Sequence, residues 1–225
     1  MLIYLLFMAP AMLLAFLAQA WIRSAYSKGM QMRAQMTGAE AARYILDKNG
    51  LHDIPVQETP GQMSDHYSPG ERVVRLSPEV YRTPSLTAVG IAAHEVGHAL
   101  QHAYGYIPLV LRNIAVPVAN FGSPIGMVLL FAGIGFGLSQ LAWLGVLLFS
   151  AVVVFQVINL PVEFNASTRG KDQLVQLGIV DSRDMGPVKS VLTAAALTYV
   201  AAALQSVMTL LYYVMLLTGG GRSRD

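Results

Sequence analysis

The sequence predicts a mainly α, polytopic membrane protein with about four transmembrane helices and a small α+β region held on one side of the bilayer. Three observations carry that expectation. Only 12% of the 225 residues are charged and 54% are hydrophobic, whereas a soluble domain carries about 25% charge. The apolar residues gather in four long runs. Each run has about 20 residues or more, enough to cross about 30 Å of hydrocarbon as a helix. The polar segments between them carry helix caps and a hairpin signal of their own.

The first run is "LIYLLFMAPAMLLAFLAQAWI", Leu2 to Ile22. It has no positive charge at its start, and its apolar stretch exceeds a signal-peptide core, so it reads as an uncleaved anchor. Pro10 is a candidate kink. A polar segment over 23–113 follows. Thr37-Gly38-Ala39-Glu40 is a capping-box pattern and Asn49-Gly50 a stop, which predicts a helix over 38–48. "SDHYSPGERVVRLS" places a Pro69-Gly70 turn between two short extended runs, a hairpin. Ser85 caps a helix from about Leu86 to Tyr104, which ends at Gly105. The next two spans, about 114–138 and 140–160, leave room only for a tight turn. The second polar segment, 161–190, opens with Pro161, a residue suited to a helix first turn. That helix should reach about Gln176 and stop at Gly178. The last span covers about 191–217. With no internal repeat or low-complexity tract, 1–225 reads as a single integral-membrane domain.

Four spans put both polar segments on one side. The first carries Arg23, Lys28, Arg33 and Arg112 near its membrane ends, and the second carries Arg169, Lys171, Arg183 and Lys189. The positive-inside rule places both in the cytoplasm and both termini outside. Arg222 and Arg224 in the tail point the other way and are outweighed. A net charge of +2 without a basic block excludes nucleic acid as the expected partner. With no cysteine there is no disulfide framework and no thiolate metal site, so any metal must be held by His, Asp or Glu.

"AAHEVGHALQH", Ala92 to His102, carries that chemistry. His94, Glu95 and His98 form H-E-x-x-H on the 86–104 helix. Residues four apart share a helix face and rise about 6 Å, so both imidazoles can converge on one zinc ion. Glu95 stands beside the first ligand, within reach of a zinc-activated water, where it serves as general base. Gly97 presents no side chain where another backbone or the substrate approaches. His102 cannot complete the set. It lies about 12 Å along a continuous helix from His94, and Ala99-Leu100-Gln101 offers no break of the kind the metzincin spacing contains. It reads as a polar-face residue or an outer partner. The third ligand must come from elsewhere on the same side. Glu163, in "NLPVEFNAS" just past the third span, is one reading. A solvated first-turn acid favoured by the helix dipole is the other.

Further polar residues have two readings each. Asp65, His66 and Tyr67 fall in the hairpin. His66 or Tyr67 could stabilise an oxyanion beside a substrate-binding edge strand, and ordinary hairpin surface is the favoured alternative. Arg169 could meet a substrate carbonyl, with anchoring at lipid headgroups favoured. His52 reads as a loop residue. Asn120, Asn159, Gln140 and Gln156 read as helix–helix hydrogen-bonding groups. Gly133, Gly135 and Gly137 permit close helix packing.

"DHYSPGERVVRLSPEVY", "AAHEVGHALQHAYGYIPLVLRN", "VPVANFGSPIG" and "NLPVEFNASTR" together resemble the YugP-type membrane zinc peptidases of bacteria, also described as neutral zinc metallopeptidases. The resemblance runs over nearly the whole chain, including the number and order of spans. It implies a gluzincin-like endopeptidase with a small zincin-like α+β cytoplasmic region. One Zn2+ per chain would be held by His94, His98 and Glu163, with Glu95 as base. It implies a multi-pass protein of the bacterial inner membrane, its site facing the cytoplasm, acting on a peptide or membrane-protein substrate. Two positions depart from the family pattern, which often has Asp where Ser68 and Asn165 stand. If the second Asp orients a ligand histidine, Asn165 can still hydrogen-bond but supports a positive imidazole less well. The alternative is a non-proteolytic, zinc-stabilised membrane scaffold or chaperone. Glu95 argues against it, because a structural site needs no base. A transporter fits less well, since the motif lies in a polar loop and not at midspan.

Overall fold

The computed structural model describes residues 2–219, so Arg222 and Arg224 lie outside the described residues. In chain order the elements are α1 (Leu2–Met30), α2 (Gly38–Lys48), β1 (Val56–Glu58), β2 (His66–Ser68), β3 (Val73–Leu76), α3 (Pro78–Arg82), α4 (Leu86–Ala103), α5 (Ile107–Gly135), α6 (Ser139–Gln176) and α7 (Gly186–Gly219). Among the described residues four helices are long and apolar enough to cross a membrane: Tyr4–Met30, Ile107–Gly135, Ser139–Gln176 and Gly186–Gly219.

These helices outrun the apolar runs that announce them. A helix stops where a cap or an incompatible residue stops it, not where its hydropathy falls. α1 therefore continues past Ile22 to Met30, and Ala25 and Tyr26 on the extension are buried in the core. The larger departure is at Pro161. The sequence predicts a third span and then a new helix opening there, but α6 runs through Pro161 unbroken. A proline deletes one bond from the ladder, and a long apolar helix tolerates that loss where neighbours can take up the freed groups.

The chain divides into two compact units. One holds Val110–Leu160 with the first part of α1 and the last part of α7; the other holds Ala18–Leu109 and Pro161–Leu197. In the first unit Leu130, Ala142, Val146 and Tyr213 form a buried cluster. Gly133 lies where a Cβ would be 2.3 Å from the Ala142 nitrogen, so one glycine of the expected series does permit close packing.

The second unit is built from short elements around a buried helix. Thr37 caps α2 as the sequence predicts. Its Oγ1 accepts from the Glu40 N–H at 3.2 Å, and Glu40 Oε2 accepts from the Thr37 N–H at 2.7 Å. That reciprocal pair leaves α2 free to bury Ala41, Ala42, Ile45 and Leu46. Full burial of a side chain such as Ile45 or Leu46 is worth about 1.5–3 kcal/mol. The hairpin forms, with β2 antiparallel to β3 and Tyr67 opposite Val74. β1 adds on the far side of β3 in parallel, so the strand order is β1-β3-β2 and β2 is an edge. Asp65, just before β2, accepts from the Ser77 N–H at 2.7 Å and ties the hairpin to the start of α3. Burial raises its carboxyl above the ordinary aspartate range, against the Ser77 hydrogen bonds that lower it. Ser68 accepts from the Glu71 N–H at 3.4 Å, a turn role.

α4 is the centre of this unit. Ser85 Oγ accepts from the Ala88 N–H at 3.1 Å and sets where the helix begins. Its apolar residues face inward on nearly every side, with Ala88, Val89, Ala92, Ala93, Val96 and Ala99 all fully buried. On one side α6 comes within backbone contact. A Cβ on Gly97 would lie 2.3 Å from the Ala166 carbonyl oxygen, and one on Gly170 would lie 2.6 Å from the Ala93 carbonyl oxygen. Each helix thus gives up a side chain where the other's backbone passes. A Gly97→Ala substitution forces the two backbones apart. Overpacking of a tight contact costs about 1–3 kcal/mol, and here the obstructing atom is backbone that cannot rotate away. The expected outcome is a lower thermal midpoint of the detergent-solubilised protein; an unchanged midpoint would show that the two helices part freely.

Candidate metal centre

α4 carries His94 and His98 one turn apart, and the close crossing delivers Glu163 from α6. One ligand atom from each of the three residues lies within 4.8 Å of the others. Glu163 Oε2 is 3.3 Å from His94 Nε2 and 3.6 Å from His98 Nε2. The imidazole planes stand at 83° with centroids 4.8 Å apart. Glu163 Oε2 is buried and makes no hydrogen bond with the described residues.

The donor set fits a metal ion. Two ligands each about 2 Å from a tetrahedral zinc stand roughly 3.3 Å apart, close to the separations found. A buried carboxylate oxygen without a hydrogen bond is costly, and a cation shared with two imidazoles would satisfy it. All donors are nitrogen or oxygen, as a chain without cysteine requires.

Each histidine is held from behind. His94 Nδ1 lies 3.0 Å from Ser167 Oγ, on α6. His98 Nδ1 lies 3.0 Å from Gln101 Oε1. Gln101 is fully buried, and its Nε2 donates to the Val162 carbonyl at 2.8 Å and to Asn165 Oδ1 at 3.0 Å. Such outer partners fix a ligand's ring orientation and its tautomer. Asn165 therefore touches no ligand histidine directly; it acts at one remove, through Gln101. Arg169 Nε donates to the same Asn165 Oδ1 at 2.7 Å. Its guanidinium lies 5.9 Å from the Tyr104 ring centroid and 5.8 Å from that of Tyr106. Arg169, which the sequence offered as a headgroup anchor or a substrate contact, is half-buried and bonded to Asn165.

Glu95 is 8% exposed. Its carboxyl is pushed up to about 7, chiefly by burial and further by the Glu163 carboxylate; His94 and a hydrogen bond from the Tyr67 backbone N–H pull the other way. A carboxyl near neutrality can both take and give a proton at physiological pH.

The remaining sequence candidates fall outside the cluster. His102 Nδ1 lies 2.8 Å from the Tyr67 hydroxyl, so the pair braces β2 against α4. His66 is exposed, its Nδ1 2.8 Å from the Ser64 carbonyl oxygen. His52 lies in a loop beside Asp47. Asn159 Oδ1 is buried and bonded to none of the described residues. Ser167 and Gln101 were not singled out from the sequence, though helical spacing contains the signal. Ser167 is four residues from Glu163 and Gln101 three from His98, the separations that share a helix face.

The family described as "Putative neutral zinc metallopeptidase" matches residues 4–218. A protein of Bacillus subtilis (strain 168), "Putative membrane protease YugP", is 49% identical over 209 residues, covering 92% of this chain and 93% of that protein. No solved structure matches.

The geometry sets an expectation for metal content. His94→Ala, His98→Ala and Glu163→Ala each remove one of three ligands and should each lose most of the zinc from purified protein. His102→Ala should keep it. Atomic absorption on the four variants decides, and full occupancy in Glu163→Ala with loss in His102→Ala would overturn the ligand set.

Proposed function

We propose that this chain, which belongs to the neutral zinc metallopeptidase family, is a membrane-embedded endopeptidase whose site is built on His94, His98, Glu163 and Glu95. The observation that carries the reading is the convergence of two Nε2 atoms and one buried carboxylate oxygen at 3.3 and 3.6 Å, with a second buried acid one residue from the first histidine. Zinc bound there would supply a Lewis acid for the scissile carbonyl and for the attacking water.

The chain's own groups divide the remaining work. Glu95 takes the proton of the water as it attacks and returns it to the leaving amine, a dual role open to one carboxyl within hydrogen-bond reach of both. Ser167 and Gln101 keep the histidine rings turned toward Glu163. β2 has one side unpaired, and Tyr67 on it bonds Glu95 through its backbone N–H. An extended peptide added to that edge would be led toward Glu95 by backbone pairing alone. A peptide or membrane-protein substrate suits such recognition, which reads backbone before side chain. The relative named a membrane protease and the four membrane-competent helices support a membrane location. The lysines and arginines of 23–113 and 161–190 support a cytoplasmic face.

Three protein ligands also favour catalysis over a scaffold role, because a structural zinc closes its fourth position with another side chain. Glu95→Gln should keep zinc and fold while losing at least about 100- to 10,000-fold in peptidase activity, the usual worth of acid–base help. Cleavage at the wild-type rate by this variant would assign the base to another residue. A wild-type protein loaded with zinc in lipid that cleaves nothing in a broad proteomic screen would favour the scaffold.

Orientation has its own test. Single cysteines introduced for Gln62 and Asp181 into this cysteine-free chain should resist an impermeant thiol reagent in intact cells and react after lysis. Labelling in intact cells would reverse the topology.

A further inference from the structure

We propose that Arg169 is a positioning residue for the metal centre: acting through Asn165 and Gln101, it holds His98 in the form that turns a bare Nε2 lone pair toward Glu163. The inference rests on the metal-site reading above.

The argument is one of hydrogen-bond polarity. A guanidinium only donates. Arg169 Nε donates to Asn165 at 2.7 Å, so the amide of Asn165 must present its oxygen there. That same oxygen lies 3.0 Å from Gln101, so Gln101 must turn its nitrogen toward it. The second hydrogen of that nitrogen goes to the Val162 carbonyl at 2.8 Å. With its nitrogen spent, Gln101 meets His98 Nδ1 with an oxygen, at 3.0 Å. Nδ1 must then be the protonated nitrogen, and Nε2, 3.6 Å from Glu163 Oε2, keeps its lone pair. Each link has one allowed direction, and two fixed groups set it: the Arg169 cation and the Val162 carbonyl.

Without the arginine, Asn165 can turn over and present its NH2 group to the nitrogen of Gln101. Gln101 must then either tolerate two facing donors or turn over itself and set its own oxygen against the Val162 carbonyl oxygen, to which its nitrogen now donates. Turning over would set an NH2 group against His98 Nδ1 and move the histidine proton to Nε2, where a metal ligand cannot carry it. The rings of Tyr104 and Tyr106 hold the guanidinium over their faces, which keeps the start of the relay in place.

The test is zinc affinity of the full chain in detergent micelles, by competition with a chelating dye. Outer partners of metal ligands are typically worth about 10- to 100-fold in affinity. Gln101→Leu should lose that much and Arg169→Met about 10-fold. Arg169→Met added to Gln101→Leu should cost nothing further, because the relay is already cut. Asn165→Asp should restore affinity to Arg169→Met, since a carboxylate has no donor face to turn the wrong way. Arg169→Lys, which keeps a donor, should fall between wild type and Arg169→Met. Unchanged affinity in Arg169→Met, additive losses in the double variant, or no restoration by Asn165→Asp would each overturn the relay. If the wild-type chain binds no zinc, the metal site falls and the relay with it. If it binds zinc with these dependences but cleaves no peptide, the relay stands and only the peptidase reading fails.

Discussion

The structure around the candidate site depends on one contact, the backbone-to-backbone approach of α4 and α6. Gly97 and Gly170 give it by omission: a single methyl group at either would fall 2.3 or 2.6 Å from the facing carbonyl oxygen. The histidines and the glutamate are more than 60 residues apart in the chain, on helices that begin and end under unrelated signals. Longer side chains at this crossing would hold the axes apart, and Glu163 would no longer reach the two imidazoles. The glycine inside the histidine motif is therefore explained by another backbone, one of the two possibilities the sequence left open.

α6 does more than bring a carboxylate. Ser167 stands behind His94, and the Val162 carbonyl and Asn165 hold the glutamine behind His98. One helix thus supplies the third candidate ligand and orients the other two. Val162, Glu163, Asn165, Ser167 and Arg169 span about two consecutive turns of α6, so their relative placement is that of one regular helix.

Much of this was legible in the sequence. Thr37 and Glu40 specify the start of α2, Ser85 that of α4, and Pro69-Gly70 the hairpin, because caps and turns are local chemistry with few alternatives. The four long apolar runs were plain for the same reason. β1 was not: Val56-Gln57-Glu58 is three residues with no alternating pattern, and it becomes a strand only because β3 is there to pair with it. α3, a five-residue helix, gave no periodicity to read. Pro161 misled in a definite way, since proline suits a first turn and is also tolerated inside a long apolar helix, and only packing distinguishes the two. Within the site, the histidine pair is fixed by helical spacing, whereas the position of Glu163 past the third span left a ligand and a solvated acid both open until the resemblance favoured the ligand, and the roles of Gln101 and Asn165 depend on a helix crossing that no local pattern encodes.

That crossing also makes the site a thermodynamic device. The three candidate ligands are divided between two helices, two on α4 and one on α6, so an ion that binds all three binds only the docked pair. Its binding free energy is then docking free energy as well. A ligand present at a hundred times its dissociation constant adds about 2.7 kcal/mol to the state that binds it. Chelation would remove that increment from the α4–α6 contact before it removed anything from α2 or the sheet, so metal loss would register first as local opening between these two helices.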